Sequence, residues 1–187
     1  MFQRVIAGVA GAVVLLAGAF AAEDKPLTED QAQRFVATLA AVDALGDSLE
    51  AEGKIDNLRI EQRPKAGEAF LPYSNAVSVL KEKYPSDHAK LADAVKGHGF
   101  STTEWGHVGD RVMVAYLAVR MAEDDPDSME MMAGMDKSML EMVPAEMRAQ
   151  LEGTFAMMET VKNAPEADKK AIATVKDDLD KFMEEDA

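Results

Sequence analysis

From Thr28 to the C-terminus the apolar residues recur every three or four positions, and no segment alternates in the two-residue rhythm of a strand. A chain patterned this way buries its apolar surface by packing helix against helix, so the expected fold class is all-α. Thr28 and Gln31 stand at capping-box spacing, and Phe35, Val36, Leu39, Val42, Leu45 and Leu49 form one stripe behind them. Together they predict a single helix from Thr28 to about Glu52. Gly53, Asn57, Pro64 and Gly67 then interrupt the pattern and predict a long loop, with a short extended piece at Ile55, Leu58 and Ile60.

Further helices follow by the same signals. Tyr73, Ala76, Val77, Leu80 and Tyr84 share a face from Pro72 until Pro85 ends the run, and Ser86 is expected to cap a short helix carrying Leu91, Ala94 and Val95. Gly97-His98-Gly99 stops that helix. Ser101 and Glu104 form a second capping box before a helix running to about Glu123, apolar on most sides, as the central member of a bundle would be. Asp127 or Ser128 caps a helix to Val143. Pro144 opens another with Met147, Leu151, Phe155 and Met158 inward, and Pro165 opens the last, with Ile172, Val175, Leu179 and Phe182 inward. The expectation is one domain of six or seven helices spanning residues 22–187.

Residues 1–21 have a different character. Arg4 is the only charge before the uncharged run Val5 to Phe20, and Ala19-Phe20-Ala21 offers small residues at the positions a signal peptidase reads. This predicts a secretory signal peptide cut after Ala21, and hence a periplasmic or secreted protein with no stable membrane anchor after cleavage. The rival reading is an uncleaved anchor, because the run approaches the roughly 18 residues that span a bilayer. A lone arginine points to the general export route rather than the twin-arginine one.

The chain has no cysteine. An exported domain of this length must therefore stabilise itself by packing, without disulfides, and it can hold no thiol nucleophile, lipid-modified cysteine or cysteine-ligated metal. Its 34 acidic residues against 20 basic ones give a net charge of -14, a field that repels nucleic-acid backbones and anionic membrane surfaces. Lys54, Arg59, Arg63 and Lys65 are the one basic cluster and are expected to form a solvated loop. The acidic groups are Glu123 to Asp127, around Pro126, and Asp177 to Asp186 on the outer face and end of the last helix.

Methionine is the residue type that most invites a chemical role. Met129, Met131, Met132, Met135, Met139 and Met142 crowd one predicted helix. Thioether sulfur is a soft ligand suited to Cu(I), so Met131, Met135, Met139 and Met142 form the candidate metal set, with copper as the cofactor. The same four line one stripe at 100° per residue, with Glu130, Gly134, Lys137, Ser138 and Glu141 opposite, which is also the division of an ordinary amphipathic helix. Methionine additionally suits an adaptable apolar binding surface.

The remaining chemistry is sparse. Glu104 and His107 have the spacing used in di-iron bundles, which need that pair twice, and no second pair exists. Ser101, His98 and Asp110 lack a nucleophile-elbow pattern. Asp125 and Asp127 resemble the start of a calcium loop, but Glu130 and Asp136 occupy the positions that need glycine and glutamate. Trp105 beside Phe100 is expected as a core anchor. No catalytic set converges, and the chain is expected to be non-enzymatic.

Leu27-Thr28-Glu29-Asp30-Gln31 resembles the LTxxQ signature of the small helical periplasmic chaperones of the Spy-like group. The resemblance implies a cradle-shaped dimer that binds unfolded chains. It covers five residues; Val143 to Met147, where a second copy would fall, keeps almost none of it, and the acidity of the chain departs from a basic cradle. The functional expectation is therefore an exported helical binding or interaction protein for an undetermined protein or small ligand. The first alternative is a periplasmic Cu(I)-binding protein, and the second a chaperone-like protein. The sequence leaves the oligomeric state open.

Overall fold

A computed structural model of the protein describes residues 25–55, 58, 68–124 and 143–185. Among the described residues there are eight helices and no strand. These are α1 (Glu29–Val36), α2 (Leu39–Ala51), α3 (Pro72–Lys83), α4 (Pro85–Lys96), α5 (Thr102–Asp124), α6 (Ala145–Lys162), α7 (Glu166–Ile172) and α8 (Lys176–Glu185). Helix α5 is the spine and packs against α1, α3, α4, α6 and α7, as its nearly all-round apolar sequence requires. None of the described helices is long and apolar enough to cross a membrane.

The main core runs from Leu27 and Phe35 through Leu80, Leu91, Val95, Trp105, Val112 and Tyr116 to Ile172 and Leu179. At its centre Trp105 stacks on Phe35 at 5.5 Å between ring centroids, while Tyr73 meets both edge-on at 5.3 Å. Trp105 is thus the anchor expected of it, and its indole N–H donates to Thr38 Oγ1 at 2.8 Å. A smaller cluster of Val114, Ala118, Val161 and Ala164 joins α5 to the end of α6, with Phe70, Leu117 and Met121 packed on it.

Two predicted helices prove to be pairs. The stripe after Thr28 breaks at Ala37–Thr38, where buried Thr38 donates its hydroxyl to the Phe35 carbonyl at 2.6 Å and accepts from Trp105. The segment after Pro165 breaks at Ala173–Val175, giving α7 and α8, with Val175 N–H donating to the Ile172 carbonyl. Two caps also differ from expectation. Pro85 itself occupies the first turn of α4 with Tyr84 as its N-cap, leaving Ser86 exposed, and Pro144 is the N-cap of α6 rather than its first residue. Of the expected extended piece, Ile55 and Leu58 have helical backbone, Leu58 is buried, and Ile60 lies outside the described residues.

The Thr28 capping box forms as expected, with Gln31 N–H donating to Thr28 Oγ1 at 3.2 Å and Thr28 N–H to Gln31 Oε1 at 3.1 Å. Gly99 has φ of 79°, the left-handed conformation that ends the turn after α4, and a side chain there would meet Arg34 Nη1. Arg34 itself ties α1 to that turn. It donates to the His98 carbonyl at 3.1 Å and lies 4.7 Å over the Phe100 ring. On α6, Leu151, Phe155 and Met158 are half-buried, and Gly153 and Val161 are buried, while Met147 lies outside the side chains described.

Candidate functional site

A groove of about 490 Å³ opens where the start of α3, the middle of α5, the end of α6 and the start of α7 meet. The volume is in the range that small-ligand pockets occupy. Phe70, Leu71, Val114 and Pro165 supply apolar walls, with Asp110, Arg111, Thr160, Asn163 and Asp168 among them. On α5 the spacing of three and four puts Asp110 and Arg111 on the same side as Val114, and Thr160 and Asn163 are likewise three apart. Among the described residues Leu71 is the large apolar side chain left exposed, at 39 %.

The charged groups at this groove are nearly all engaged. Arg111 forks onto Asp168, with Nε donating to Oδ2 and Nη2 to Oδ1, both at 2.8 Å, the bidentate geometry that makes such pairs strong. Asp168 Oδ1 also accepts from Leu27 N–H at 2.9 Å, and Arg111 Nη1 donates to the Lys25 carbonyl. One ion pair therefore fastens α5, α7 and the segment before α1. The Leu27–Gln31 segment that resembles the chaperone signature is occupied structurally, by burial of Leu27, this anchor and the capping box.

Asp110 has a different role. Leu71, the N-cap of α3, has no side-chain acceptor, so the free N–H groups of the first turn need one from elsewhere. Asp110 reaches across from α5 and accepts from Tyr73 N–H at 2.7 Å and Ser74 N–H at 3.3 Å. It is 3 % exposed, and burial pushes its carboxyl above the usual carboxylate range against the pull of those hydrogen bonds. Asp110 has no ion-pair partner among the described residues; the base whose charge acts on it is His107, one turn earlier on α5, bonded through Nδ1 to Ser74 Oγ at 3.4 Å.

The residues singled out from the sequence fall as follows. Met131, Met135, Met139 and Met142, with Met129 and Met132, lie outside the described residues, as do the acidic group at Asp125 and Asp127 and the basic residues Arg59, Arg63 and Lys65. Lys54 is not in a solvated loop. It pairs with Asp87 at 2.7 Å and with Glu52, and lies 5.2 Å over the Tyr84 ring. His88 bonds Thr102 Oγ1 at 3.0 Å, His98 engages Arg34 through its carbonyl, and Glu104 is exposed, its N–H donating to Ser101 Oγ at 3.2 Å. Ser101 is a helix cap and Asp110 caps α3, so the two serve separate helix ends. Among the described residues no three His, Asp or Glu side chains gather as a metal site.

The buried carboxylates Asp87 and Asp168 did not stand out from the sequence, and Asp110 stood out only beside Ser101 and His98, not as a buried group capping another helix. A signal existed for Asp110 and Arg111, because charged residues inside a helix apolar on most sides must be matched by partners. Comparison of the chain with protein families, with curated proteins and with solved structures returns no match.

Proposed function

We propose that this protein is an exported, non-enzymatic helical binding protein whose ligand site is the groove between α3, α5, α6 and α7. The observation that carries the reading is the composition of that groove. Apolar walls surround an Arg111–Asp168 pair already committed to holding the fold, and Asp110 is committed to the N-terminus of α3. Such a lining favours capture of an apolar group over bond-making chemistry, which needs an acid, a base or a nucleophile held free for the reaction. The run from Val5 to Phe20 and the Ala19-Phe20-Ala21 tripeptide support export to the periplasm or beyond.

The test is the binding of N-phenyl-1-naphthylamine, a neutral probe that fluoresces in apolar sites. Leu71→Ser removes the exposed apolar wall with little effect on stability, as surface substitutions have. The variant is expected to weaken probe binding several-fold. Unchanged binding would exclude the groove as the site.

The methionine-rich segment supports a second reading, Cu(I) binding by Met131, Met135, Met139 and Met142. A competition titration against a chromogenic Cu(I) chelator tests it, with Met131, Met135 and Met139 changed to leucine as the comparison. Tight binding lost in the variant supports copper; no binding by the parent protein removes it.

A further inference from the structure

We infer that the groove's preferred ligand is an amphipathic cation, an apolar body carrying one ammonium group, with Asp110 as its counter-charge. The inference rests on the groove being the binding site and adds the chemical class of what enters it.

Charge in the groove is the reason. Asp168 and Arg111 cancel in a two-pronged pair, and Arg111 Nη1 is held by the Lys25 carbonyl, so the guanidinium is not poised to receive an anion. Asp110 remains. Its offsets are the Ser74 side chain and the Tyr73 and Ser74 N–H groups, with the partial positive charge of a helix N-terminus behind them, and His107 beyond Ser74. Removal from water outweighs these offsets and raises the affinity of the carboxyl for a proton. A cation seated against Val114 and Leu71 would favour the ionised carboxylate, while an anion would be repelled by a carboxylate that no lysine or arginine pairs with among the described residues. The walls set the other half of the preference, since a bare inorganic cation would leave exposed Leu71 and the groove-facing surfaces of Phe70 and Val114 in contact with water. The overall charge of -14 acts in the same direction by concentrating cations near the surface.

A matched set of octyl compounds separates these contributions at pH 7, each displacing N-phenyl-1-naphthylamine from the purified protein below its micelle concentration. Octylammonium is expected to displace the probe at concentrations about tenfold lower than octanol, the scale of one charge-assisted contact, with octanoate weakest. In Asp110→Asn, which keeps an acceptor for Tyr73 N–H, the advantage of octylammonium over octanol should fall to within about twofold on the same scale. Asp93→Asn, which neutralises an exposed acid on α4, should retain the advantage and so exclude bulk charge as its source. Should Asp110→Asn fail to fold, NMR titration of the Asp110 carboxyl in the parent protein decides instead. Its pKa should fall on saturation with octylammonium but not with octanol, and an unmoved value would overturn the inference. Equal displacement by all three compounds, or a preference for octanoate, overturns the cation inference while leaving the groove as an apolar site. Failure of the neutral probe to bind overturns the binding reading itself.

Discussion

Asp87, Asp110 and Asp168 are each at most 3 % exposed, and each meets the cost of burial differently. Asp168 takes an arginine and a backbone N–H. Asp87 lies under two lysine side chains, with Lys54 at 2.7 Å and Lys90 at 2.8 Å, and these bonds hold its carboxyl below the usual range. Asp110 takes backbone N–H groups, and burial raises it. The two shifts predict opposite pH behaviour. A lowered carboxyl contributes stability that is present above the unfolded value of 3.8 and is lost as pH falls through its folded value. Asp87→Asn should therefore be less stable than the parent at pH 7, with the gap closing in acid. A raised carboxyl contributes stability that is full below 3.8 and is lost as pH rises through its folded value. Asp110→Asn should therefore be no less stable than the parent at pH 7 and lose any advantage in acid. Urea unfolding at pH 7 and pH 3 checks both. These burials were hard to foresee on α4 and α7, where an aspartate in the first turn is ordinary helix chemistry and nothing marks which face a tertiary partner covers.

At the scale of elements, helix content and most ends were legible because local chemistry carries them: a capping box at Thr28, Pro85 following the end of α3, left-handed Gly99 after α4, Ser101 before α5. The breaks at Ala37–Thr38 and Ala173–Val175 were not. Ala37, Thr38 and Ala173 keep right-handed helical backbone, with no glycine or proline to signal a turn, so the apolar spacing continues across both breaks. Thr38 turns the chain for a tertiary reason, its hydroxyl shared between the Phe35 carbonyl and the Trp105 indole. Helix α5 depends on small residues where its neighbours come closest. A Cβ on Gly109 would lie 2.7 Å from Tyr73 Cγ and 2.8 Å from Phe35 Cε2, and those rings are fixed by each other and by Trp105. Gly109→Ala should destabilise the protein by about 1–3 kcal/mol, the usual cost of overpacking, despite the better helix propensity of alanine. Thermal unfolding followed by circular dichroism reads this directly, and a variant as stable as the parent would contradict the packing described.

At the scale of the whole molecule, α5 organises both the core and the groove. Its buried faces carry Trp105, Val112 and Tyr116 into the main cluster, while Asp110, Arg111 and Val114 reach the site where α3, α6 and α7 converge. The all-α class was legible from spacing alone. The groove was not, because its residues come from three separated stretches, Phe70–Leu71, Asp110–Val114 and Thr160–Asp168, and no single stretch has a motif. The feature most suggestive in sequence, the methionines from Met129 to Met142, lies outside the described residues, so its chemistry is a question separate from the groove. The groove as the binding site is tested most directly by amide chemical-shift mapping of the protein titrated with N-phenyl-1-naphthylamine. The account predicts saturable shifts confined to residues around Leu71, Asp110, Val114, Thr160 and Asn163. Shifts centred instead on residues 129–142, or none at saturating probe, would contradict it.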